Sequence, residues 1–309
     1  MRLTQIRDFL AVVECGSIRA AARKLGVAQP TLTKSVRSLE AELHVQLLGR
    51  SVRGIVPTSS GRAFFARARV AQSELRKAEE EAAQLGGSNA GSVALGMGSV
   101  GVMLILPGAV ARFRQQFPRA RVRVVEGLAH LLLPSVRDET LDFAFGLRPV
   151  TALDRALKFR PLYRSELVVA ARKRHPLGGA RSLAELAGAD WLATVSVGLP
   201  GGPLERLFAP AGLPAPQPVV QCESYNAVVA LLAKTDMLGI MQRWMLRESF
   251  ARDFLQEIAI AEPVPSVTAG IFTRADAPLT RVATAMARAV AAVARQLAGA
   301  TSGSGVGDK

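Results

Sequence analysis

Two short helical segments joined by a tight turn, within residues 17–40, constrain the fold more than any other stretch of the chain. Ser17 suits the cap of the first segment, because its hydroxyl can accept a hydrogen bond from a free backbone N–H. Apolar residues then recur at helical spacing as far as Leu25. Gly26 ends this segment, because glycine adopts the left-handed conformation without steric cost. Pro30 suits the first turn of the next segment, where its missing N–H is not needed.

The second segment has an apolar side and a polar, basic side. Leu32, Val36 and Leu39 recur at helical spacing and are expected to face inward. A helix of this kind after a glycine turn is typical of a DNA-reading helix-turn-helix, whose second helix enters a major groove about 12 Å wide. A three-helix bundle without a DNA role is the alternative. The residues predicted to approach the DNA from this helix are Gln29, Pro30, Thr31, Thr33, Lys34 and Arg37.

A hairpin wing and a long helix are predicted next. Residues 49–57 combine two glycines, two arginines and short β-branched runs. Arg50 and Arg53 are expected to hold phosphates or the minor groove, although solvated surface arginines are the simpler alternative. Thr58 suits the cap of a helix over residues 59–85 whose apolar stripe is too long for the small domain to cover. Such a stripe normally pairs with a partner helix.

The first 61 residues or so resemble the N-terminal domain of LysR-type transcriptional regulators. The matching residues are Phe9, Gly16, Ser17, Ala21, Ala22, Leu25, Gln29, Pro30, Leu39, Glu40, Leu43, Leu47, Arg50, Arg53, Thr58 and Gly61. Thr33 stands where the family usually has serine, and Leu48 where it usually has phenylalanine. The resemblance implies a winged helix-turn-helix over residues 1–58 and a linker helix over 59–87. It also implies that this helix forms a homodimer, within a homotetramer, on promoter DNA.

Composition and charge fit a DNA-binding protein of the cytoplasm. The chain has 309 residues, enough for two or three domains, and a net charge of +14. Residues 1–72 hold twelve basic and four acidic side chains, so positive charge is densest where DNA should bind. No signal peptide and no apolar run long enough for a bilayer are evident. Cys15 and Cys222 lie too far apart in sequence to suggest a disulfide framework, and a redox role for them stays open.

After a hinge-like stretch at residues 86–91, strands and helices alternate, which predicts a doubly wound α/β domain. The pattern includes one helix over residues 102–117, an extended run over 162–171 and a last helix over 278–297. Two α/β halves resemble the effector domain of the same family, which looks like a periplasmic solute-binding protein. The resemblance implies the following division: lobe I over residues 91–161 and 267–298, lobe II over 162–266, with a disordered tail over 299–309.

The cleft between the lobes is the predicted effector site, because ligands of open α/β sheets bind beyond the carboxyl ends of the strands. Arg148 is a candidate partner for a carboxylate or sulfonate, and Tyr225 a flat wall with a hydroxyl. The glycine–serine loop at residues 98–101 and Arg148 favour a small organic anion, while turn, cap and ion-pair roles are the alternatives. The candidate residues are Gly98, Ser99, Val100, Gly101, Gly127, His130, Gly146, Arg148, Thr194, Ser196, Ser224 and Tyr225.

One motif favours an enzyme instead. Gly96, Gly98 and Gly101 fit the dinucleotide fingerprint G-x-G-x-x-G, and Glu126 follows about where a ribose-binding acid would fall. An NAD-binding oxidoreductase is therefore the alternative function. The three histidines, however, lie in no nucleophile–base arrangement, and no cysteine–histidine cluster has metal-ligand spacing. We therefore predict a regulator without catalytic activity, metal or cofactor. The basic N-terminal domain argues against a solute-binding module without regulatory output.

Overall fold

The computed structural model describes residues 1–51, 54–85, 90–193 and 202–302. The N-terminal domain contains the predicted helices and wing, and the linker helix follows it. The elements are α1 (Leu3–Cys15), α2 (Ile18–Leu25), α3 (Gln29–Glu42), β1 (Leu48–Ser51), β2 (Gly54–Pro57) and α4 (Ser59–Leu85). The Ser17 hydroxyl accepts from the backbone N–H of Ala20 at 3.4 Å, and Gly26 has φ of 67°. Capping and turn chemistry therefore act as the sequence indicates.

Phe9 is the centre of the N-terminal core. Its side chain is fully buried among the first three helices. Phe64 and Phe65 on α4 contact it edge-on, with ring centroids 5.4 Å and 6.4 Å from that of Phe9. The first turns of α4 therefore belong to the DNA-binding domain, and the rest of the helix extends away from it.

The C-terminal domain is built from the predicted alternation of strands and helices. In chain order its elements are β3 (Ser92–Met97), α5 (Ser99–Leu104), α6 (Leu106–Gln116), β4 (Arg121–Glu126), α7 (Ala129–Arg137), β5 (Phe143–Leu147), β6 (Leu157–Arg172), α8 (Leu183–Leu186), β7 (Trp191–Ala193), α9 (Pro203–Phe208), β8 (Val220–Gln221), α10 (Tyr225–Lys234), β9 (Leu238–Gln242), α11 (Ser249–Arg252), β10 (Leu255–Ile258), β11 (Ser266–Arg274) and α12 (Arg281–Ser302). Short 3₁₀ turns occupy Ala209–Ala211 and Arg243–Arg247.

Strand β6 runs through both lobes and joins their sheets. In lobe I the strand order is β4-β3-β5-β11-β6, and in lobe II β6 continues to β9, β7 and β8, with β10 on its other side. Antiparallel pairing of β6 with β11 extends to Glu166 opposite Ser266. Pairing with β9 begins at Leu167. The strand therefore passes between lobes near Glu166, later than the boundary expected at residues 161–162.

Several details differ from the sequence-based expectation. The helix predicted over residues 102–117 is two helices that meet at Ile105. Pro107 lies in the first turn of α6, where its missing N–H cannot continue the hydrogen bonding of α5. Helix α12 reaches Ser302, inside the predicted disordered tail, and residues 303–309 lie outside the described part. Strand β10 and helix α11 were not predicted. Most of the predicted hinge, residues 86–89, also lies outside the described ranges.

One apolar cluster contains residues of both lobes, and each lobe has a further apolar cluster of its own. In lobe I, the stacked rings of Phe113 and Phe117 lie 5.5 Å apart and pack with α12 against one face of the sheet. In lobe II, the buried ring of Trp191 meets Phe208 edge-on at 5.5 Å. Within the described ranges, no helix combines the length and apolar character that crossing a membrane requires.

Candidate functional site

The predicted DNA-reading residues lie on the outer face of α3. Gln29, Pro30, Thr31, Lys34 and Arg37 are exposed, and Thr33 is half-buried. The hydroxyl of Thr33 donates to the carbonyl oxygen of Gln29 at 3.0 Å. The apolar side of the same helix is buried through Leu32, Val36 and Leu39. The helix therefore presents a polar, cationic surface, and most of these residues line a shallow depression along it.

Two side chains that were not predicted as functional hold this helix and the wing in place. Gln5 on α1 donates through Nε2 to Ser38 Oγ at 3.1 Å and to Glu42 Oε1 at 2.8 Å. The bond from Gln5, together with the amino terminus, lowers the pKa of Glu42 to about 2. Glu40 Oε1 accepts from the backbone N–H groups of Leu47 and Leu48 at 2.8 Å and 3.0 Å. The available sequence signal was an acidic residue near the end of the recognition helix in a basic domain.

The wing is the predicted hairpin, and it is attached to the turn after α1. The backbone N–H of Ile55 donates to the carbonyl oxygen of Gly16 at 3.0 Å. A Cβ at Gly54 would lie 2.8 Å from that same oxygen, and Gly54 has φ of 112°, so glycine is required here. Arg53 and the side chain of Arg50 lie outside the described part, so their predicted phosphate contacts stay predictions.

Helix α4 has two different faces beyond its first turns. Ala71, Leu75, Ala78 and Ala82 form an exposed apolar stripe. At 3.6 residues per turn, a set of polar residues falls on the opposite side. These residues are half-buried against lobe I: Arg69, Ser73, Arg76, Lys77 and Glu80. The apolar stripe is therefore available to a partner helix.

The predicted effector loops meet at one edge of lobe I. The backbone N–H of Gly98 donates to Phe145 at 3.1 Å, and that of Gly127 donates to Met97 at 3.1 Å. These bonds connect the carboxyl ends of β3, β4 and β5. Among the described residues, no heavy atom other than those of the chain neighbours lies within 4 Å of a Cβ position at Gly98 or Gly146. The structure therefore brings Gly98, Ser99, Gly127 and Gly146 together beside open space.

Acidic side chains contact two of the predicted effector residues. Ser99 Oγ donates to Glu126 Oε1 at 2.5 Å. His130 Nε2 on lobe I lies 3.9 Å from Glu223 Oε1 on lobe II, and both side chains are about half exposed. Glu126 ends β4 and Glu223 immediately precedes the cap of α10, so their positions at strand and helix ends were the signals available.

Other predicted effector residues have structural roles. A Cβ at Gly101 would lie 2.7 Å from the ring of Phe145, and Val100 packs against the core. The guanidinium of Arg148 lies over the Phe159 ring, 5.7 Å from its centroid, and the residue is exposed. Ser224 caps α10 by accepting from the N–H of Ala227 at 3.4 Å. Thr194 and Ser196 lie outside the described residues.

Tyr225 carries a buried hydroxyl. Within the described residues, its oxygen has no hydrogen-bond partner. Burial raises the pKa of this phenol well above its ordinary value of 10.0. The group therefore stays protonated at neutral pH and keeps a proton that it can donate to a hydrogen-bond acceptor. Nearby in lobe II, Gln242 Oε1 accepts from the indole N–H of Trp244 at 2.9 Å.

Packing explains the glycine fingerprint that had suggested a dinucleotide. A Cβ at Gly96 would lie 2.9 Å from side-chain carbons of both Leu132 and Leu141. Gly101 has the same constraint at the ring of Phe145. Two of the three glycines therefore allow close packing inside lobe I. Among the described residues, no group of three or more potential metal ligands occurs.

Two family models together match most of the chain. The model described as a bacterial regulatory helix-turn-helix protein of the lysR family matches residues 3–62. The model described as the LysR substrate binding domain matches residues 86–295. The chain belongs to the LysR family of transcriptional regulators. The family predicted from residues 1–61 is confirmed, as is the fold: an N-terminal helix-turn-helix followed by a two-lobe α/β domain.

Known LysR-family proteins resemble the chain over most of its length. The HTH-type transcriptional regulator GalR of Pseudomonas putida is 32% identical over 87% of this chain and 68% of its own length. The SDS degradation transcriptional activation protein of a Pseudomonas species is 28% identical over 92% of this chain and 94% of its own. These relatives are regulators, so the prediction that the protein is not an enzyme is confirmed, and the oxidoreductase alternative finds no support.

Solved structures of LysR-family members share the fold. CbnR, a LysR family transcriptional regulator, aligns with a TM-score of 0.69 at 20% identity, covering 95% of this chain and 99% of CbnR. Full-length CbnR complexed with its target DNA aligns with a TM-score of 0.68 at 21% identity, covering 95% of this chain and 100% of CbnR. At this level of identity the likeness concerns the fold alone.

Proposed function

We propose that this LysR-family regulator binds promoter DNA in the cytoplasm as a homodimer or homotetramer and responds to a small organic anion held between its two lobes. The observation that carries the DNA part is the exposed polar, basic face of α3, from Gln29 to Arg37. Gln5 and Glu40 fix that helix and the wing relative to each other. CbnR, which has the same fold, is known in complex with its target DNA.

The DNA contacts can be sorted by their dependence on salt and on sequence. Arg37→Ala should weaken binding to all sequences and reduce the salt slope by about one unit, because one phosphate contact is lost. Gln29→Ala should instead reduce the preference for the specific site, because a base-edge contact is lost. Gel shifts on the DNA upstream of the gene, across a salt series, distinguish these results. Lys234→Ala, an exposed charge change on lobe II, is the matched control.

If neither variant changes affinity or salt slope while Lys234→Ala also has no effect, the proposed face is wrong. Failure of the wild-type chain to bind the upstream DNA even at low salt would count against the proposed function. Arg53→Ala is expected to behave like Arg37→Ala, because the wing arginine is also proposed to hold the backbone.

The exposed stripe on α4 supports the proposed dimer. Ala71, Leu75, Ala78 and Ala82 are exposed although they are apolar, and they recur at helical spacing. A second copy of the same helix would cover them by coiled-coil packing. Two such chains would present two copies of α3 to neighbouring half-sites of a palindromic promoter.

The cleft supports the proposed effector. Ser99 offers a hydroxyl to it, and Gly98 and Gly146 leave room beside the backbone. The unpartnered hydroxyl of Tyr225 is proposed to face the same space. Glu126 already accepts the Ser99 hydrogen bond at 2.5 Å. An effector carboxylate or sulfonate would therefore replace the Glu126 carboxylate at Ser99. The SDS degradation relative is named for the breakdown of an organic anion, which is consistent with an anionic effector.

A thermal-shift screen with aromatic and aliphatic carboxylates, sulfonates, amines and neutral analogues tests this proposal. Ser99→Ala should weaken the binding of an active anion, whereas Glu126→Gln should strengthen it by about tenfold, because a like charge is removed at close range. Tyr225→Phe should leave the free protein at least as stable and weaken the ligand-induced shift. If only amines raise the melting temperature, and Glu126→Gln abolishes that increase, the effector is a cation.

A further inference from the structure

Glu139 has a backbone conformation that is unusual for its residue type. It follows α7 and has φ of 57°, in the left-handed region where a residue other than glycine is strained. Its side chain is nevertheless only 2% exposed. A strained backbone and a buried carboxylate at the same residue indicate that the surrounding contacts hold it there.

Those contacts come from the linker helix and from the end of β11. Lys77 Nζ on α4 lies 2.9 Å from Glu139 Oε2. Ser73 Oγ, one turn earlier on α4, donates to the carbonyl oxygen of Glu139 at 3.3 Å. Arg274 pairs with the other carboxylate oxygen and is itself held by Asp276 at 2.6 Å. The carboxylate therefore joins the linker helix to the lobe I sheet.

Weaker contacts extend this attachment along α4. Arg69 Nη2 lies 3.6 Å from Asp138 Oδ2. Glu80 Oε1 accepts from Ser92 Oγ at 2.7 Å, at the start of β3. These side chains lie on the face of α4 opposite the exposed apolar stripe. The helix can therefore remain attached to lobe I while its other face binds a second copy.

Helix α7 connects this attachment with the cleft. It begins at Ala129, beside His130 in the cleft, and ends at Arg137, next to Asp138 and Glu139. Leu132 and Val136 anchor it in the lobe I core. A shift of α7 at the cleft would therefore displace the Glu139 carboxylate against Lys77.

We propose that Glu139 is a positioning residue that locks the linker helix onto lobe I and thereby sets the angle at which the lobe holds the DNA-binding domain. The buried carboxylate lies between Lys77 and Arg274 and thereby fixes the helix. The left-handed backbone at Glu139 directs the carboxylate toward these two side chains. The lock itself is independent of DNA binding, whereas its effect on DNA geometry rests on the proposed function.

Hydrogen exchange in the full chain tests the lock. Glu139→Gln removes the charge and keeps the size, Glu139→Gly removes the side chain and relieves the backbone, and Lys77→Met removes the partner on the helix. In each variant, amides of residues 69–80 should exchange about tenfold faster, because a charged hydrogen bond is lost. Glu74→Gln is the matched control, since Glu74 contacts the same lysine at 2.8 Å and, among the described residues, makes no hydrogen bond or ion pair with lobe I.

Glu139→Gly separates the lock from general stability. Because glycine relieves the strained φ, it recovers part of the stability lost with the ion pairs, so the melting temperature should fall less than in Glu139→Gln, while exchange in residues 69–80 still rises. Unchanged exchange in both Glu139 variants would overturn the proposal, as would an equal rise in Glu74→Gln. If one Glu139 variant does not fold, Lys77→Met decides the question from the other side of the pair.

DNA bending tests the second half of the proposal. Energy transfer between dyes at the two ends of the upstream DNA should change in Glu139→Gln and Glu139→Gly, while the dissociation constant stays within about threefold, because the recognition helix is untouched. Faster exchange with unchanged energy transfer would overturn the claim that Glu139 sets the DNA-binding angle. Failure of the wild type to bind would count against the proposed function, and the exchange result would still stand.

Discussion

Gly61 lies so close to Leu47 that a Cβ at Gly61 would overlap the Leu47 carbonyl oxygen. That oxygen also accepts the backbone N–H of Thr58 at 2.9 Å. The Thr58 hydroxyl in turn caps α4, accepting from the N–H of Gly61 at 2.9 Å. The start of the wing and the start of the linker helix are therefore fixed to each other through backbone atoms, which cannot move aside.

Gly61→Ala should destabilise the N-terminal domain by about 1–3 kcal/mol, the usual cost of overpacking, because the clash is with backbone. Thermal and urea unfolding of the full chain measure the effect. Gly49→Ala is the local control, since a Cβ there would make contacts of 3.8 Å and 3.9 Å, which are ordinary van der Waals distances. Equal stability of the two variants would show that the backbone at Gly61 and Leu47 can move apart to accommodate a Cβ without loss of stability.

Glu40→Ala should loosen the wing, because two backbone N–H groups lose a shared charged acceptor. A loss of about 2 kcal/mol in stability is expected, together with weaker DNA binding. Unfolding curves and gel shifts measure the two effects. Glu14→Ala is the control, because Glu14 is 44% exposed and pairs only at the surface with Lys24. A Glu40→Ala chain with wild-type DNA affinity would argue against a fixed wing.

Leu75→Glu should dissociate the proposed dimer, because charges would be buried where two apolar stripes meet. Leu75 is 44% exposed, so the single chain should fold normally. Sedimentation of the full chain measures the assembly. Gln72→Glu introduces the same charge at an exposed position outside the stripe and should leave assembly intact. Identical sedimentation of both variants and the wild type would exclude α4 as the dimer helix.

Asp142 should make stability depend on pH. Burial raises its pKa above the ordinary value of 3.8, although the N–H of Ala94 donates to its carboxylate at 2.7 Å. As pH rises from 3.8 through the raised pKa, the folded chain retains a proton that the unfolded chain has lost. The free energy of unfolding therefore falls across that window and is constant above it.

Asp142→Asn removes this dependence, so the melting temperature of the variant minus that of the wild type should increase from about pH 4 to pH 7. Asp253→Asn, at a side chain 64% exposed, serves as the control. A pH-independent difference for Asp142→Asn would mean that burial does not raise the pKa of this carboxyl group in solution.

Local rules determined most of the N-terminal domain. Ser17, Gly26, Pro30 and Thr58 each act at a helix end through contacts within a few residues, so their roles are readable from sequence. The exposed face of α3 follows in the same way from helical spacing. Glu40 was harder to assign, because its partners Leu47 and Leu48 are reached only after the chain turns.

In the effector domain, the sequence predicted the two lobes but not which strands and side chains meet. Alternating strands and helices indicated two α/β lobes, and the rule about carboxyl ends of strands selected Gly98, Ser99 and Gly127. Pairing decided that β6 belongs to both lobes, because its partner β11 comes about a hundred residues later. The contact between Ser99 and Glu126 depends on neighbouring parallel strands, so spacing along the chain does not reveal it.

By itself, the sequence determined the helix-turn-helix, the apolar stripe of the linker helix and the two-lobe plan, because these depend on short-range periodicity and on capping chemistry. Only the tertiary structure decided which faces meet. In the sequence, Glu139 looks like an ordinary surface acid. Folding places its carboxylate between Lys77, which lies 62 residues earlier in the chain, and Arg274, which lies much later in the chain. Long-range electrostatic partners are set by the packing of whole elements, and no local pattern encodes them.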